Sequence, residues 1–170
     1  MVKALILVDF ENEWLLKDSD YYVGDVSETI IKTNKLIDLC RDNNYKIIFI
    51  RHVEEDSNNA FADNSERTKI ISSLHKNESD ILITKHRISS FFKTNLDEEL
   101  ESVKEIVICG ILTNLCVRSL IQDAYDRDYN IKVIKDCCVA FDEVTQEFTF
   151  KDLKSTRDEI NFMNLEEFVK

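Results

Sequence analysis

Residues 105–124 read EIVICGILTNLCVRSLIQDA. The segment 105–109 contains the apolar run IVIC, which is typical of a buried strand in a parallel sheet, and Gly110 favours a tight loop directly after it. From Thr113 or Asn114 onward the apolar residues recur at helical spacing, at Val117, Leu120, Ile121 and Ala124. The segment therefore predicts a strand, a short loop and a helix, with Cys116 about two residues into the helix.

The same alternation extends along the whole chain. Further apolar runs predict strands at 4–8, 47–50, 81–84, 131–134 and 160–163. Polar, periodic segments between them predict helices at about 25–43, 65–76, 94–103 and 146–153, and a terminal helical turn from Asn164. This order predicts an α/β fold, a three-layer α/β/α sandwich with a mainly parallel, about six-stranded sheet, formed as a single domain by residues 1–170.

The net charge and the lengths of the apolar runs argue against two classes of partner, nucleic acids and membranes. The 170 residues carry a net charge of −11, which repels phosphate backbones and argues against a nucleic-acid partner. No apolar run approaches the roughly 20 residues that span a bilayer, so no membrane partner is expected. The first apolar stretch, 4–8, is too short for a signal peptide. We expect a cytoplasmic protein.

The chain has five cysteines, an odd number, and no C-x-x-C pair. This pattern indicates free thiols in a reducing compartment and excludes a zinc ribbon or a thioredoxin-type motif. The three histidines are too scattered to indicate a zinc cluster from spacing alone.

Chemically reactive residues follow several of the predicted strands. Asp9 comes after the first strand, Lys85 ends the third, and Cys116 follows the fourth. Because ligands bind beyond the carboxyl ends of parallel strands, these side chains are candidates for one site. A thiol at a helix start can be activated, a carboxylate can accept its proton, and an ammonium can stabilise both anions. Each residue also has an ordinary structural role, as a core thiol, a loop carboxylate or a solvated cation.

Three ordered blocks carry a family resemblance. VDFENEW (8–14) is similar to D-x-Q-N-x-(F/W), and TKHRISSFFKTNLDEEL (84–100) is similar to K-x-R-x-S-x-F-x-x-T-x-L. CGILTNLCVRSLIQDAYDRDYNIKVIKDCCVA (109–140) contains G-(V/I)-x-T-x-x-C-V. The chain thus resembles the isochorismatase-like cysteine hydrolases, a family of nicotinamidase-related amidases with a Rossmann-like sheet.

The resemblance implies a function and a set of roles. Cys116 would be the nucleophile, Asp9 the general base and Lys85 the third member of the triad. A cis peptide would join Ile111 and Leu112, and the N–H groups of Leu112 and Cys116 would form an oxyanion hole. Trp14, Phe61 and His52 would line the substrate pocket. The expected reaction is hydrolysis of a small-molecule amide or ureido C–N bond through a thioester, by a homo-oligomer (dimer or tetramer) without a cofactor.

The chain also departs from the family pattern. Where metal-dependent relatives have D-x-H and a second histidine, this chain has His52 and Glu54, and the loop 56–64 contains no histidine. No metal is therefore expected, although His52, Glu54 and Asp56 could together form a metal site that differs from the family's usual one. Glu11 replaces the glutamine usual in the family. Its carboxylate could raise the pKa of a neighbouring group or repel an anionic substrate, or it could point away from the site.

Other functions also fit the sequence. Cys116 could serve a redox or regulatory thiol protein, or the chain could be an inactive scaffold of the same family. A phospho-receiver domain would need an acidic cluster at the first strand and a lysine near the fifth, which the position of Lys85 opposes. The substrate is not determined, and the candidates for binding a carboxylate are Arg51, Arg87 and Arg118.

Overall fold

A computed structural model describes residues 2–170. Six strands form one sheet: β1 Val2–Val8, β2 Lys46–His52, β3 Ile81–Lys85, β4 Val103–Ile111, β5 Asn130–Val139 and β6 Asn161–Met163. The α-helices are α1 Ser27–Asp42, α2 Leu96–Glu99, α3 Arg118–Tyr125, α4 Glu143–Thr156 and α5 Leu165–Phe168. Two 3₁₀ turns lie at Asn12–Leu15 and Glu66–Thr68, and a π-helical turn lies at Thr113–Val117.

The strand order is β3-β2-β1-β4-β5-β6, and every neighbouring pair is parallel. The predicted three-layer α/β/α fold with a six-stranded sheet is thus confirmed. The chain proceeds outward from β1 to β3 on one side and from β4 to β6 on the other. In open parallel sheets the point where this order reverses is the usual position of a ligand crevice. That point lies here between the carboxyl ends of β1 and β4.

The core is centred on β1, because residues Ala4 to Val8 are all fully buried. Strands covered on both faces need apolar side chains at successive positions, which explains the unbroken ALILV run. Val8 is paired with Gly110 of β4 at the end of both strands. A Cβ at position 110 would lie 2.3 Å from the Val8 carbonyl oxygen and 2.7 Å from the Val8 Cβ. Glycine is therefore required where the two central strands approach the crevice.

Replacing Gly110 with alanine is expected to lower the free energy of unfolding by at least about 2 kcal/mol, since a backbone clash adds to an unfavourable φ of +151°. Urea denaturation measures this loss. Gly24→Ala is the matched control, because Gly24 also has a positive φ of +91° but open space at its Cβ position. An equal loss in the two variants would contradict the steric argument.

The helix predicted at 65–76 is wrong, since only the 3₁₀ turn Glu66–Thr68 forms there. The following residues pair instead with the loop after β1. The Asn12 N–H donates to the Lys69 carbonyl at 3.0 Å, and the Ile71 N–H donates to the Phe10 carbonyl at 3.0 Å. These tertiary hydrogen bonds replace those of a local helix and hold the segment extended.

The other predicted elements are present with shifted ends. The helix predicted at 94–103 is shortened to α2, because β4 already begins at Val103. The strand predicted at 131–134 is longer and continues to Val139. Across residues 2–170, no helix is both long enough and apolar enough to traverse a bilayer.

Candidate active site

Three strand ends bring the predicted catalytic side chains together. Asp9 directly follows β1, Lys85 is the last residue of β3, and Cys116 lies in the π-helical turn after β4. Asp9 has a left-handed backbone with φ of 53°, which ends the strand abruptly at the crevice. The π-helical turn Thr113–Val117 runs directly into α3, so Cys116 lies near the start of one continuous helical segment, as the sequence predicted.

The Lys85 ammonium joins the other two side chains. Its Nζ lies 3.0 Å from Asp9 Oδ2 and 3.2 Å from Cys116 Sγ, and it donates to the Arg87 carbonyl at 3.1 Å. Asp9 and Lys85 are fully buried, and Cys116 is 6% exposed. A buried charge is tolerated only when it is paired, so the lysine and the carboxylate depend on each other.

The charges favour a protonated thiol beside an ion pair. Burial raises the pKa of Cys116 far above its usual range, the Asp9 carboxylate raises it further, and Lys85 partly offsets both. Burial alone would lower the pKa of Lys85, but Asp9 and Cys116 together raise it above 10.5. The resting site therefore contains an ammonium and a thiol that needs a base before it can attack.

The backbone around the thiol is unusual. The peptide bond between Ile111 and Leu112 is cis, and the π-helical turn begins at the next residue, Thr113. Within this turn, the N–H groups of Leu115 and Val117 both donate to the Leu112 carbonyl, each at 3.1 Å. The predicted oxyanion-hole residues Leu112 and Cys116 lie at the two ends of this short segment.

A cavity of about 310 Å³ opens onto the thiol. Asp9 and Cys116 form part of its lining, and so do all three predicted pocket residues, Trp14, Phe61 and His52. The other lining residues are Tyr21, Glu54, His86, Arg87, Ile88 and Leu115. Of these, the sequence indicated Arg87 as a candidate for binding a carboxylate and Glu54 as a candidate metal ligand, but neither as part of the pocket wall. Tyr21 and Leu115 occur in loop and turn segments whose packing has no periodic signal in the sequence.

Aromatic rings form one wall of this cavity. The ring centroid of Phe61 lies 5.1 Å from Trp14, 5.1 Å from Tyr21 and 5.4 Å from His52. All three contacts are edge-to-face, the geometry that aromatic pairs prefer. The wall therefore presents a mainly apolar surface to a small ligand.

Glu13 anchors this wall from behind, a role that the sequence did not indicate. Its carboxylate is fully buried and accepts hydrogen bonds from the Ser19 hydroxyl at 2.5 Å and from Arg67 at 2.9 Å. The Phe61 N–H also donates to it at 3.4 Å. One carboxylate thus connects the loop after β1 with the loop after β2, which carry Trp14 and Phe61.

Glu11 does not point away from the site. It is fully buried, and its Oε1 accepts the backbone N–H of His52 at 2.6 Å. Burial raises the pKa of Glu11 well above 4.5, and the nearby Asp9 charge raises it further. A neutral carboxyl can provide the same hydrogen-bond acceptor as the glutamine found in the family pattern.

Replacing Glu11 with glutamine is expected to stabilise the protein at pH 7 by roughly 1 kcal/mol or more, because it removes the cost of a buried carboxyl that resists ionisation. Above pH 4.5 the unfolded chain loses this proton before the folded protein does. Wild-type stability should therefore fall as pH rises from 4.5 towards the raised pKa, and Glu11→Gln should lack this decline. Urea denaturation between pH 5 and 8 measures both effects.

The control for this prediction is Glu66→Gln, whose carboxylate is 82% exposed on the surface. This variant should keep the wild-type pH dependence. A Glu11→Gln variant that declines as steeply as the wild type would show that the buried carboxyl is not the cause.

The residues near β2 do not fit a metal site. Among residues 2–170, no three His, Cys, Asp or Glu side chains are grouped closely enough to hold an ion. His52 Nε2 is hydrogen-bonded to Glu54 Oε1 at 2.8 Å, and its Nδ1 faces the Lys85 ammonium at 3.5 Å. The noncanonical set of His52, Glu54 and Asp56 therefore does not assemble.

The three arginines that were candidates for binding a substrate carboxylate do not share one site. Arg51 donates to the Thr84 hydroxyl at 2.8 Å, and Arg118 pairs with Asp152 at 2.5 Å. Of the three, only Arg87 lines the cavity. A buried thiol, a carboxylate and an ammonium thus meet beyond the carboxyl ends of a parallel sheet, in an α/β fold of the class whose ligand sites lie at this edge.

Comparison with known proteins specifies the family. The model of the isochorismatase domain matches residues 3–160, and the chain belongs to this family. The uncharacterised isochorismatase family protein YddQ of Bacillus subtilis (strain 168) is 27% identical over 141 residues, which are 81% of this chain and 78% of YddQ. Nicotinamidase 3 of Arabidopsis thaliana is 24% identical over 89% of this chain and 80% of its own.

A solved structure agrees with this assignment. The isochorismatase family protein from Desulfovibrio vulgaris subsp. vulgaris str. Hildenborough superposes with a TM-score of 0.91. The match covers 98% of this chain and 96% of the other at 19% identity, so it supports the fold alone. The relatives with a named activity include the nicotinamidase of Arabidopsis thaliana and a ureidoacrylate amidohydrolase of Agrobacterium fabrum (strain C58 / ATCC 33970), and the family assignment places the chain among hydrolases of non-peptide C–N bonds.

Proposed function

We propose that this protein hydrolyses the C–N bond of a small-molecule amide or ureido compound through a thioester on Cys116. The observation that carries the proposal is the position of the Lys85 ammonium, 3.0 Å from Asp9 Oδ2 and 3.2 Å from Cys116 Sγ, at the base of a cavity. In this arrangement a carboxylate lies beside a thiol, and the lysine stabilises whichever of them carries the negative charge.

The acylation step uses all three side chains. Asp9 accepts the Cys116 proton as the sulfur attacks the carbonyl carbon, and the negative charge moves to the carbonyl oxygen. The N–H groups of Leu112 and Cys116 donate to this oxyanion. The C–N bond then breaks, the Asp9 proton passes to the nitrogen, and ammonia or an amine leaves.

Deacylation repeats the sequence with water as the nucleophile. Asp9 accepts a proton from water, the resulting hydroxide attacks the thioester carbonyl, and the C–S bond breaks. The proton returns from Asp9 to the sulfur, so the enzyme is regenerated. The net reaction consumes one amide and one water and releases one carboxylic acid and one ammonia or amine.

The burial and the raised pKa of Cys116 argue against a redox or regulatory role for this thiol. Thiols that sense oxidants have a low pKa and are accessible to solvent. Here burial raises the pKa of Cys116, and the side chain is 6% exposed. Such a thiol reacts when a neighbouring base removes its proton during attack, which suits acyl transfer better than sensing.

The test is ammonia release from a panel of primary amides and ureido acids, combined with mass spectrometry of rapidly acid-quenched enzyme. We expect turnover of at least one compound and an acyl mass increment on the peptide containing Cys116. Turnover without any increment at this residue would overturn the thioester. A panel without turnover would favour the inactive scaffold.

A further inference from the structure

The cavity contains a second polar pair away from the thiol. His52 and Glu54 both line it, and His52 Nε2 lies 2.8 Å from Glu54 Oε1. The Glu54 backbone is also fixed, because its N–H donates to the Phe61 carbonyl at 2.8 Å. The carboxylate is thus held at a defined place on the cavity rim, opposite no lysine or arginine within salt-bridge distance among residues 2–170.

The orientation of His52 determines what Glu54 offers to a ligand. The Lys85 ammonium faces His52 Nδ1 at 3.5 Å, so this nitrogen acts as the acceptor. The ring proton then lies on Nε2 and is donated to Glu54. The carboxylate accepts this one hydrogen bond and keeps lone pairs for another donor.

The rest of the cavity lining is mainly aromatic and apolar, through Trp14, Tyr21, Phe61, Ile88 and Leu115. Arg87 is the cationic residue of the lining, but its guanidinium donates to the His86 carbonyl at 2.6 Å and forms no salt bridge with Glu54. The lining therefore pairs an aromatic wall with a carboxylate that lacks a cationic partner.

From this geometry we infer that Glu54 selects the substrate: the enzyme prefers small amides whose apolar acyl group carries an ammonium or another N–H donor away from the scissile carbonyl. This inference rests on the proposed function and specifies its substrate class. A bare ring nitrogen or a carboxylate at that position would face the lone pairs of Glu54 and be disfavoured.

Two matched series of amides test the inference. The first is 3-(aminomethyl)benzamide, 3-methylbenzamide and 3-carbamoylbenzoate, and the second is 4-aminobutanamide, pentanamide and succinamate. We expect the cationic member of at least one series to have a kcat/KM about tenfold above its neutral partner, with the anionic member lowest. In Glu54→Gln this ratio should fall to about one.

Glu55→Gln is the matched control, since it removes the same charge from an exposed neighbour that does not line the cavity. It should keep the wild-type ratio. A preference for the neutral or anionic members, turnover of other amides but of neither cationic compound, or an unchanged ratio in Glu54→Gln overturns the role of Glu54 alone. Ammonia release from no amide and no ureido acid overturns the proposed function instead.

Discussion

Replacing Cys116 with alanine is expected to abolish amide turnover while the protein remains folded. The variant cannot form the thioester, and loss of a nucleophile typically lowers kcat by a factor on the order of 10⁴ to 10⁶. The side chain is small and lies beside a cavity, so its truncation should cost no more than about 1–2 kcal/mol of stability. Ammonia release and thermal unfolding measure the two effects separately.

The control for Cys116 is another buried thiol. Cys40 lies on α1 and is fully buried, but it does not line the cavity. Cys40→Ala should lose a similar amount of stability and keep its activity, which separates the chemistry of the thiol from its packing. If Cys116→Ala kept even one per cent of wild-type turnover, the nucleophile would have to be another group.

The sequence predicted the sheet well because its signal is local. Each strand buried on both faces needs consecutive apolar residues, and runs such as 4–8 and 106–109 show this directly. The helix prediction for 65–76 failed for the opposite reason, since the conformation of this segment is set by hydrogen bonds to Phe10 and Asn12, more than 50 residues earlier. A local pattern carries no information about such a partner.

The site residues also differ in whether a local sequence signal reveals them. That Asp9, Lys85 and Cys116 follow parallel strands is visible in the sequence, and the structure places them in contact. Their catalytic roles stay predictions. The burial of Glu11 and the anchoring role of Glu13 depend on how three loops pack over the strand ends. An isolated glutamate in a sequence is usually a solvated side chain, so the sequence singled out Glu11 only through the family pattern, and the burial of neither residue could be predicted before the fold was known.

The buried ion pair between Lys85 and Asp9 is expected to support both stability and turnover. Replacing Lys85 with methionine is expected to abolish turnover and to lower the free energy of unfolding by about 3–5 kcal/mol at pH 7, because the buried Asp9 carboxylate loses its counter-charge. Because Asp9 and Cys116 together raise the pKa of Lys85 above 10.5, the wild-type contribution is present below that pH and is lost as pH rises through the raised value. Urea denaturation at pH 7 and above pH 10 measures both.

The double variant Asp9→Asn/Lys85→Met separates stability from chemistry. It removes both charges, and replacing a buried ion pair by neutral groups of similar size is often without net cost. We therefore expect it to recover most of the stability lost by Lys85→Met, with a coupling energy of at least about 2 kcal/mol in the double-mutant cycle. Turnover should stay absent, because neither the base nor the ammonium is restored. If Lys85→Met lost less than about 1 kcal/mol, or the two losses were additive, Asp9 and Lys85 would not depend on each other as a buried pair, and Lys85 would have to act through Cys116 alone.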